Sequence, residues 1–228
     1  MVQSKLLNKF RNIKHFFAET DSNIASLSWQ NSNNKLFEAE QIHGNKVSWL
    51  GEDGINYVKD VDGLGTEKLG LVLKIRTADC LPIFIFDIKK NLIVAIHAGW
   101  KGLYLGIINK AIELLKEHGG KSKDLIIAIG PHIKKCCYAV PQKRIERFFS
   151  KIPKQINYYI ELKGNWFLDL ESIAIFQLMQ EGIKKDSVDI LSGCTCCGNQ
   201  FFSYRRDGKN SGRMSNIIYL TDNKYEKN

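Results

Sequence analysis

Short apolar blocks, most of them bounded by glycine, asparagine or aspartate, run through most of the chain. Eight of them predict strands: Lys35–Ile42, Lys46–Leu50, Leu71–Ile75, Leu81–Asp87, Leu92–His97, Leu125–Ile129, Val188–Leu191 and Asn216–Leu220. They are rich in β-branched and aromatic residues, which suit a pleated, packed surface. Leu81–Phe86 and Leu92–His97 are apolar almost throughout and read as buried strands, with Asp87 to Asn91 as the hairpin turn between them. Helical spacing appears at Leu105, Ile108, Ile112 and Leu115, and Gly119-Gly120 ends that run. Asp169 can cap a second helix whose apolar residues include Ile173, Phe176 and Met179, with Gly182 as its stop. A third, shorter helix is expected from Pro141 through Phe149. Asn31 to Asn34 reads as a turn, and Asn223 to Asn228 as a frayed tail. Strands interspersed with helices, several after hairpins, predict an α/β or α+β fold with a mixed sheet.

Composition narrows the class. A chain of 228 residues that is 44% hydrophobic and 25% charged fits one folded domain spanning residues 1–228, and neither a disordered nor a fibrous protein. The longest apolar run contains a proline and falls far short of the roughly 18 residues of a membrane span. No apolar stretch follows Met1-Val-Gln-Ser-Lys5, so a signal peptide is not expected and a cytoplasmic location is; a monomer is expected separately. The net charge of +9 would attract anions. Its basic pairs are spread along the chain, however, and no basic stripe interleaved with aromatics marks a nucleic-acid partner.

Three segments place a metal-ligating side chain at the end of a strand: Gln41-Ile-His43-Gly44-Asn45, Thr77-Ala-Asp79-Cys80-Leu-Pro82 and His97-Ala-Gly99-Trp100-Lys101-Gly102. Taken singly, each histidine reads as a hydrogen-bonded core residue and the cysteine as an inert small hydrophobe. Taken together, two imidazoles and a thiolate make a catalytic zinc set with one position open. Their separations of 37 and 17 residues match no linear zinc signature. The other cysteines cluster as Cys136-Cys137 and Cys194-Thr-Cys196-Cys197. Reduced thiols are expected of them; a second, structural zinc site is open to them, although two well-spaced Cys-x-x-Cys pairs are absent. His15, His118 and His132 read as surface or core residues.

The segments just quoted, with Gly130-Pro131, Cys136-Cys-Tyr138 and Phe201-Phe-Ser-Tyr-Arg-Arg-Asp-Gly208, resemble the motifs of the YfiH-type laccase-domain proteins, also known as polyphenol oxidases and as multifunctional purine nucleoside enzymes. The resemblance runs from about Gln41 to Met214. It implies a layered α/β/β/α sandwich with mixed sheets and a metal held by His43, Cys80 and His97. It also implies phosphorolysis of purine nucleosides and methylthioadenosine, and deamination of adenosine. Zinc would supply an activated water for the second reaction. Arg205 and Arg206, with Lys101 as a point charge, are the phosphate candidates, and Gln41 is placed with the substrate. The usual nucleoside deaminase signature, His-x-Glu with a later Pro-Cys-x-x-Cys, is missing. Asp79 is therefore the candidate acid/base, weighed against a hydrogen-bonding role. Ala139 stands where family members often carry glutamate. Two other enzyme readings remain. One is a polyphenol oxidase with a single copper at the same three ligands, since five histidines cannot serve several coppers. The other is a metal-free hydrolase using Cys80 and His97 on cell-wall precursors.

Overall fold

The computed structural model describes residues 1–22, 34–51 and 56–222. The expected turn at Asn31–Asn34 lies mostly outside these residues, and the expected tail at Asn223–Asn228 wholly so. The strands are β1 (Ile13–Phe16), β2 (Lys35–Ala39), β3 (Val47–Trp49), β4 (Tyr57–Val58), β5 (Gly63–Thr66), β6 (Leu71–Thr77) and β7 (Leu81–Asp87). They continue with β8 (Leu92–Ala98), β9 (Leu125–Ile129), β10 (Ala139–Val140), β11 (Tyr159–Leu162), β12 (Asn165–Leu168), β13 (Val188–Ile190) and β14 (Met214–Leu220). The helices are α1 (Trp100–Leu105), α2 (Ile107–Glu117), α3 (Gln142–Glu146), α4 (Leu170–Gln180) and α5 (Tyr204–Asp207).

Two mixed sheets carry the architecture. One has the order β13-β9-β7-β8-β5-β3, the other β1-β14-β6-β2-β4, and a small third sheet has β10-β12-β11. Strand β7 shows how the layers stack. Its Ile83 and Ile85 enter the cluster that holds Ile108, Ile112 and Leu115 of α2, and its Phe84 and Phe86 pack among Phe37, Leu73 and Ile218 of the other sheet. Every residue of β7 and β8 is buried, which is why these two strands lack a polar/apolar alternation. The order is thus helices, six-stranded sheet, five-stranded sheet.

The expected strands are all present, two with the expected ends and the rest shifted by one to three residues. The expected helix from Leu105 is two helices, α1 and α2, separated by Gly106. Asp169 caps α4 as expected, its carboxylate accepting from the Ser172 amide at 3.1 Å. Strand β5 had no sequence signal, because Gly63 and Gly65 read as turn residues. They are needed for close packing instead: a Cβ on Gly63 would lie 2.7 Å from Ile96, and one on Gly65 2.7 Å from Trp49. Strand β1 was missed because Lys14 and His15 break its apolar pattern.

His15 is buried and pairs β1 to the N-terminal segment, its Nε2 accepting the Ser4 amide at 2.8 Å. Burial pulls its pKa down to about 4, against a smaller opposing pull from Asp189. A histidine depressed in this way favours the folded state above its ordinary pKa and loses that contribution as the pH falls from 6.5 toward 4. The loss is about 3 kcal/mol at the low end. His15→Gln keeps an acceptor without titrating, so denaturant unfolding at a series of pH values should show a shallower decline below pH 6.5 than in the parent. Parallel declines would mean that His15 is not the buried proton sensor of this fold.

Candidate functional site

Three backbone registers bring the site together. In β7 and β8, Leu81 faces Ala98, so Cys80 just before β7 lies against Gly99 just after β8. In β5 and β8, Gly63 faces Ile96, which puts Asp62 beside His97; the His97 amide donates to the Asp62 carbonyl at 2.7 Å. In β3 and β5, Val47 faces Gly63, and the Asp62 amide donates to Lys46 at 2.9 Å, which brings in the turn at Ile42–Gly44.

Asp62 is fully buried, and its carboxylate organises what surrounds it. It accepts the amides of His43 at 2.9 Å, Gly44 at 2.6 Å and Ile42 at 3.3 Å. The same Oδ1 lies 2.8 Å from His97 Nδ1. His43 has φ of 59°, a left-handed conformation that these amide bonds hold in place. With Nδ1 engaged, the His97 ring turns its Nε2 toward the sulfur and His43. Donor atoms of His43, Cys80 and His97 all lie within 4.8 Å of one another. Gly99 makes room for them, since a Cβ there would stand 3.0 Å from Cys80 Sγ and 3.3 Å from His43. Two imidazoles and a thiol converging at one point fit a zinc-type or copper-type ion.

The electrostatics favour ionised ligands. Burial alone would raise the Cys80 thiol, but the neighbouring His97 and His43 bring it down to about 6. Burial alone would lower His97, but Cys80 and Asp62 lift it to about 9. Burial also acts to raise Asp62; bonds from His97 and the Gly44 and His43 amides outweigh it and hold the carboxyl below its usual range.

The cluster lines a cleft of about 720 Å³. Arg76, Arg144, Arg205 and Arg213 line it, together with Tyr57, Trp100, Tyr138 and Tyr204. Arg144 stacks 4.5 Å above the Trp100 ring, and Arg205 lies 5.1 Å from the centre of Tyr138. Among the residues expected at the site, His43, Cys80, His97, Gln41, Asp79 and Arg205 line the cleft. Gln41 is paired with the Arg76 main chain through two bonds of 2.7 Å, which fixes the segment leading to His43.

Three of the expected residues have other partners or lie outside the cleft. Asp79 accepts Thr195 Oγ1 at 2.6 Å and the Arg205 amide at 2.7 Å, so both its oxygens tie loops together at the cleft wall. Arg206 is outside the cleft and donates to the carbonyls of Thr195, Gly198 and Phe201, which makes it a structural clamp. Lys101 is exposed on the first turn of α1 and does not line the cleft. Sequence reasoning missed Asp62, Arg76, Arg144 and Arg213; they belong to no shared spacing, and Asp62, between Asp60 and Gly63, reads as a turn residue.

A family model described as multi-copper polyphenol oxidoreductase laccase matches residues 17–221. The chain belongs to this family. A purine nucleoside phosphorylase of Clostridium acetobutylicum is 33% identical over 204 residues, covering 88% of this chain and 83% of that protein. One from Aquifex aeolicus is 35% identical over 186 residues, covering 82% and 84%. Among solved structures, YfiH of Bacillus licheniformis superposes with a TM-score of 0.79 at 29% identity, covering 83% of this chain and 76% of that one. YlmD of Geobacillus stearothermophilus gives 0.77 at 29% identity, over 83% and 75%. The mixed sheets expected from the resemblance are thus the family's fold.

The family's description speaks of several coppers, and the histidines here do not supply them. His15 bonds to Ser4, His118 stacks 3.7 Å from Trp49, and His132 is buried against the Gly130 carbonyl at 2.8 Å. Only His43 and His97 share a site. No helix among the described residues is long and apolar enough to cross a membrane.

Two measurements test this geometry. Asp62→Asn presents an amide nitrogen or a single oxygen where the carboxylate served four donors, so metal affinity should fall about 10- to 100-fold. Unchanged affinity would remove Asp62 from its organising role. In metal-free protein the ultraviolet thiolate absorbance of Cys80 should persist at neutral pH and disappear as the pH falls through about 6. A midpoint at the ordinary thiol value would contradict the thiolate–imidazolium pairing.

Proposed function

We propose that this chain is a metal-dependent purine nucleoside phosphorylase, with one zinc ion held by His43, Cys80 and His97. The observation that carries the reading is that the three-ligand cluster opens on a cleft walled by four arginines and four aromatic rings. Names of relatives at about the same identity point the same way. Bound there, zinc supplies Lewis acidity in the cleft.

The chain's own residues supply the rest. Guanidinium groups hold phosphate as a charge-assisted, bidentate ligand. Tyr57, Trp100, Tyr138 and Tyr204 offer flat apolar surface for a purine and exclude water from around it. Held this way, a phosphate oxygen bonds to ribose C1′ as the bond from C1′ to the base nitrogen breaks. The bonding pair leaves with the base, which takes up a proton. Fixing the two reactants in one geometry is the main contribution of such a cleft. We extend the reading to methylthioadenosine, whose adenine and C1′–N9 bond are those of adenosine although its 5′-hydroxyl is a methylthio group, and to adenosine deamination, in which water replaces the 6-amino group, released as ammonia, and phosphate has no part.

One observation favours a second reading. Asp62, His97 and Cys80 stand in the order of an orienting acid, a base and a thiol nucleophile, as a metal-free hydrolase would need. The donor set also suits a single copper ion acting on phenols. Inosine, adenosine and a phenol should be assayed with and without phosphate, in zinc-loaded, copper-loaded and chelated protein. The proposal expects phosphate-dependent release of base that chelation abolishes. Hydrolysis surviving chelation would favour the thiol, and phenol turnover confined to the copper form would favour the oxidase.

Arginine substitutions give a sharper prediction. Arg205→Gln should cost phosphorolysis about 2–4 kcal/mol of transition-state binding, with adenosine deamination bearing only the smaller loss from freeing the Cys137 and Ala139 carbonyls. Arg206→Gln should lower the melting temperature and depress both activities together, because it frees three carbonyls. Equal losses of both activities in Arg205→Gln would take the phosphate away from that residue.

A further inference from the structure

We propose that Cys136, Cys137, Cys194 and Cys197 form a second, structural zinc site, separate from the cleft. Their four sulfurs all lie within 4.8 Å of one another. Cys197 is 3.3 Å from Cys137 and 3.5 Å from Cys136, and Cys136 is 3.7 Å from Cys137. Tetrahedral zinc with bonds of about 2.3 Å sets its sulfurs about 3.8 Å apart. A disulfide instead draws two sulfurs to about 2.05 Å and leaves the others aside. Here one sulfur is nearly equidistant from two others, which is the arrangement of a shared ligand.

The fold explains why these residues meet. Strands β9 and β13 are parallel neighbours, so the loops that follow them leave the sheet side by side. His132 and Cys194 form a bridge between those loops, and the Thr195 amide donates to the His132 carbonyl at 3.1 Å. Within each loop a tight turn aims the thiols inward: the Cys137 amide bonds Lys134 at 3.0 Å, and the Cys197 amide bonds Cys194 at 3.3 Å. The Lys134 amide also donates to Cys194 Sγ at 3.4 Å, an interaction that steadies a thiolate ligand. Cys136 and Cys197 are exposed, leaving a path from solvent, and Cys196 is not among the converging sulfurs.

Four thiolates close the coordination sphere, so this ion has no position for substrate and is not catalytic. Its effect is to staple two loops that furnish the cleft. One carries Tyr138, and the other carries Thr195, which holds Asp79. Arg205 joins the same unit by donating to the carbonyls of Cys137 at 3.2 Å and Ala139 at 2.8 Å. None of the four cysteines lines the cleft.

The test uses the full chain purified anaerobically and loaded with zinc alone. Zinc should bind at two per chain, and mass-resolved alkylation should find Cys136, Cys137, Cys194 and Cys197 protected until a chelator is added. Zinc-edge X-ray absorption of His43→Ala/His97→Ala, in which the cleft ion is lost, should show four sulfurs at about 2.3 Å. Cys136→Ser/Cys197→Ser should retain one zinc with mixed nitrogen and sulfur ligands. If that variant does not fold, the alkylation pattern of the parent decides alone. Zinc-saturated parent with all four thiols freely alkylated would overturn the proposal. So would a mass deficit showing disulfides among them, or a sulfur site that takes iron and rejects zinc.

Discussion

One buried carboxylate holds the centre together. Asp62 accepts three consecutive backbone amides from the Ile42–Gly44 turn and orients His97, and no solvent competes for it. A buried anion of this kind is tolerable only because its oxygens are saturated with donors. The benefit is positional. His43 comes from a left-handed turn and His97 from a fully buried strand, and the same oxygen touches both. Replace it by a group that cannot accept from both sides, and the two imidazoles lose their common reference.

A second aspartate, next to Cys80 in the chain, performs a parallel task in the cleft wall. Asp79 joins Thr195 to the start of α5, and Arg206 gathers three carbonyls of the 195–201 loop. Groups of the candidate site and scaffolding groups therefore alternate closely along the chain: Asp79 ties loops together while Cys80 joins the donor cluster, and Arg206 clamps while Arg205 lines the cleft. The cysteine staple lies behind the same loops. The cleft's shape thus depends on polar and thiol contacts between loops, with the hydrophobic layers supplying a rigid floor.

The sequence made the floor legible. Leu81–Asp87 and Leu92–Ala98 could be recognised as strands from density of apolar residues, even though burial on both faces removed their alternation. The ligands His43, Cys80 and His97 stood out as residue types at strand ends, and the resemblance singled them out as a set. Asp62 did not, because Val61-Asp-Gly-Leu-Gly65 reads as a turn until the register of β5 on β8 places it under His97. Arg76, Arg144 and Arg213 come from three remote segments, so no spacing rule could assemble them. Lys101 misled because nearness in sequence to His97 does not decide direction: the first turn of α1 leaves it in solvent. The cysteines misled in the opposite sense. Two of them are adjacent in sequence, contrary to the familiar pair spacing, and only the parallel pairing of β9 with β13 brings both groups together.

Asp62 fixes the tautomer and direction of His97, leaving Nε2 able to ligate a metal. Nitrogen–proton correlation spectroscopy of the histidine side chains in zinc-loaded protein reads this directly. His97 should carry its proton on Nδ1, hydrogen-bonded to a carboxylate, with Nε2 showing the shift of a metal-bound nitrogen. A His97 protonated on Nε2, or bound to the metal through Nδ1, would contradict it.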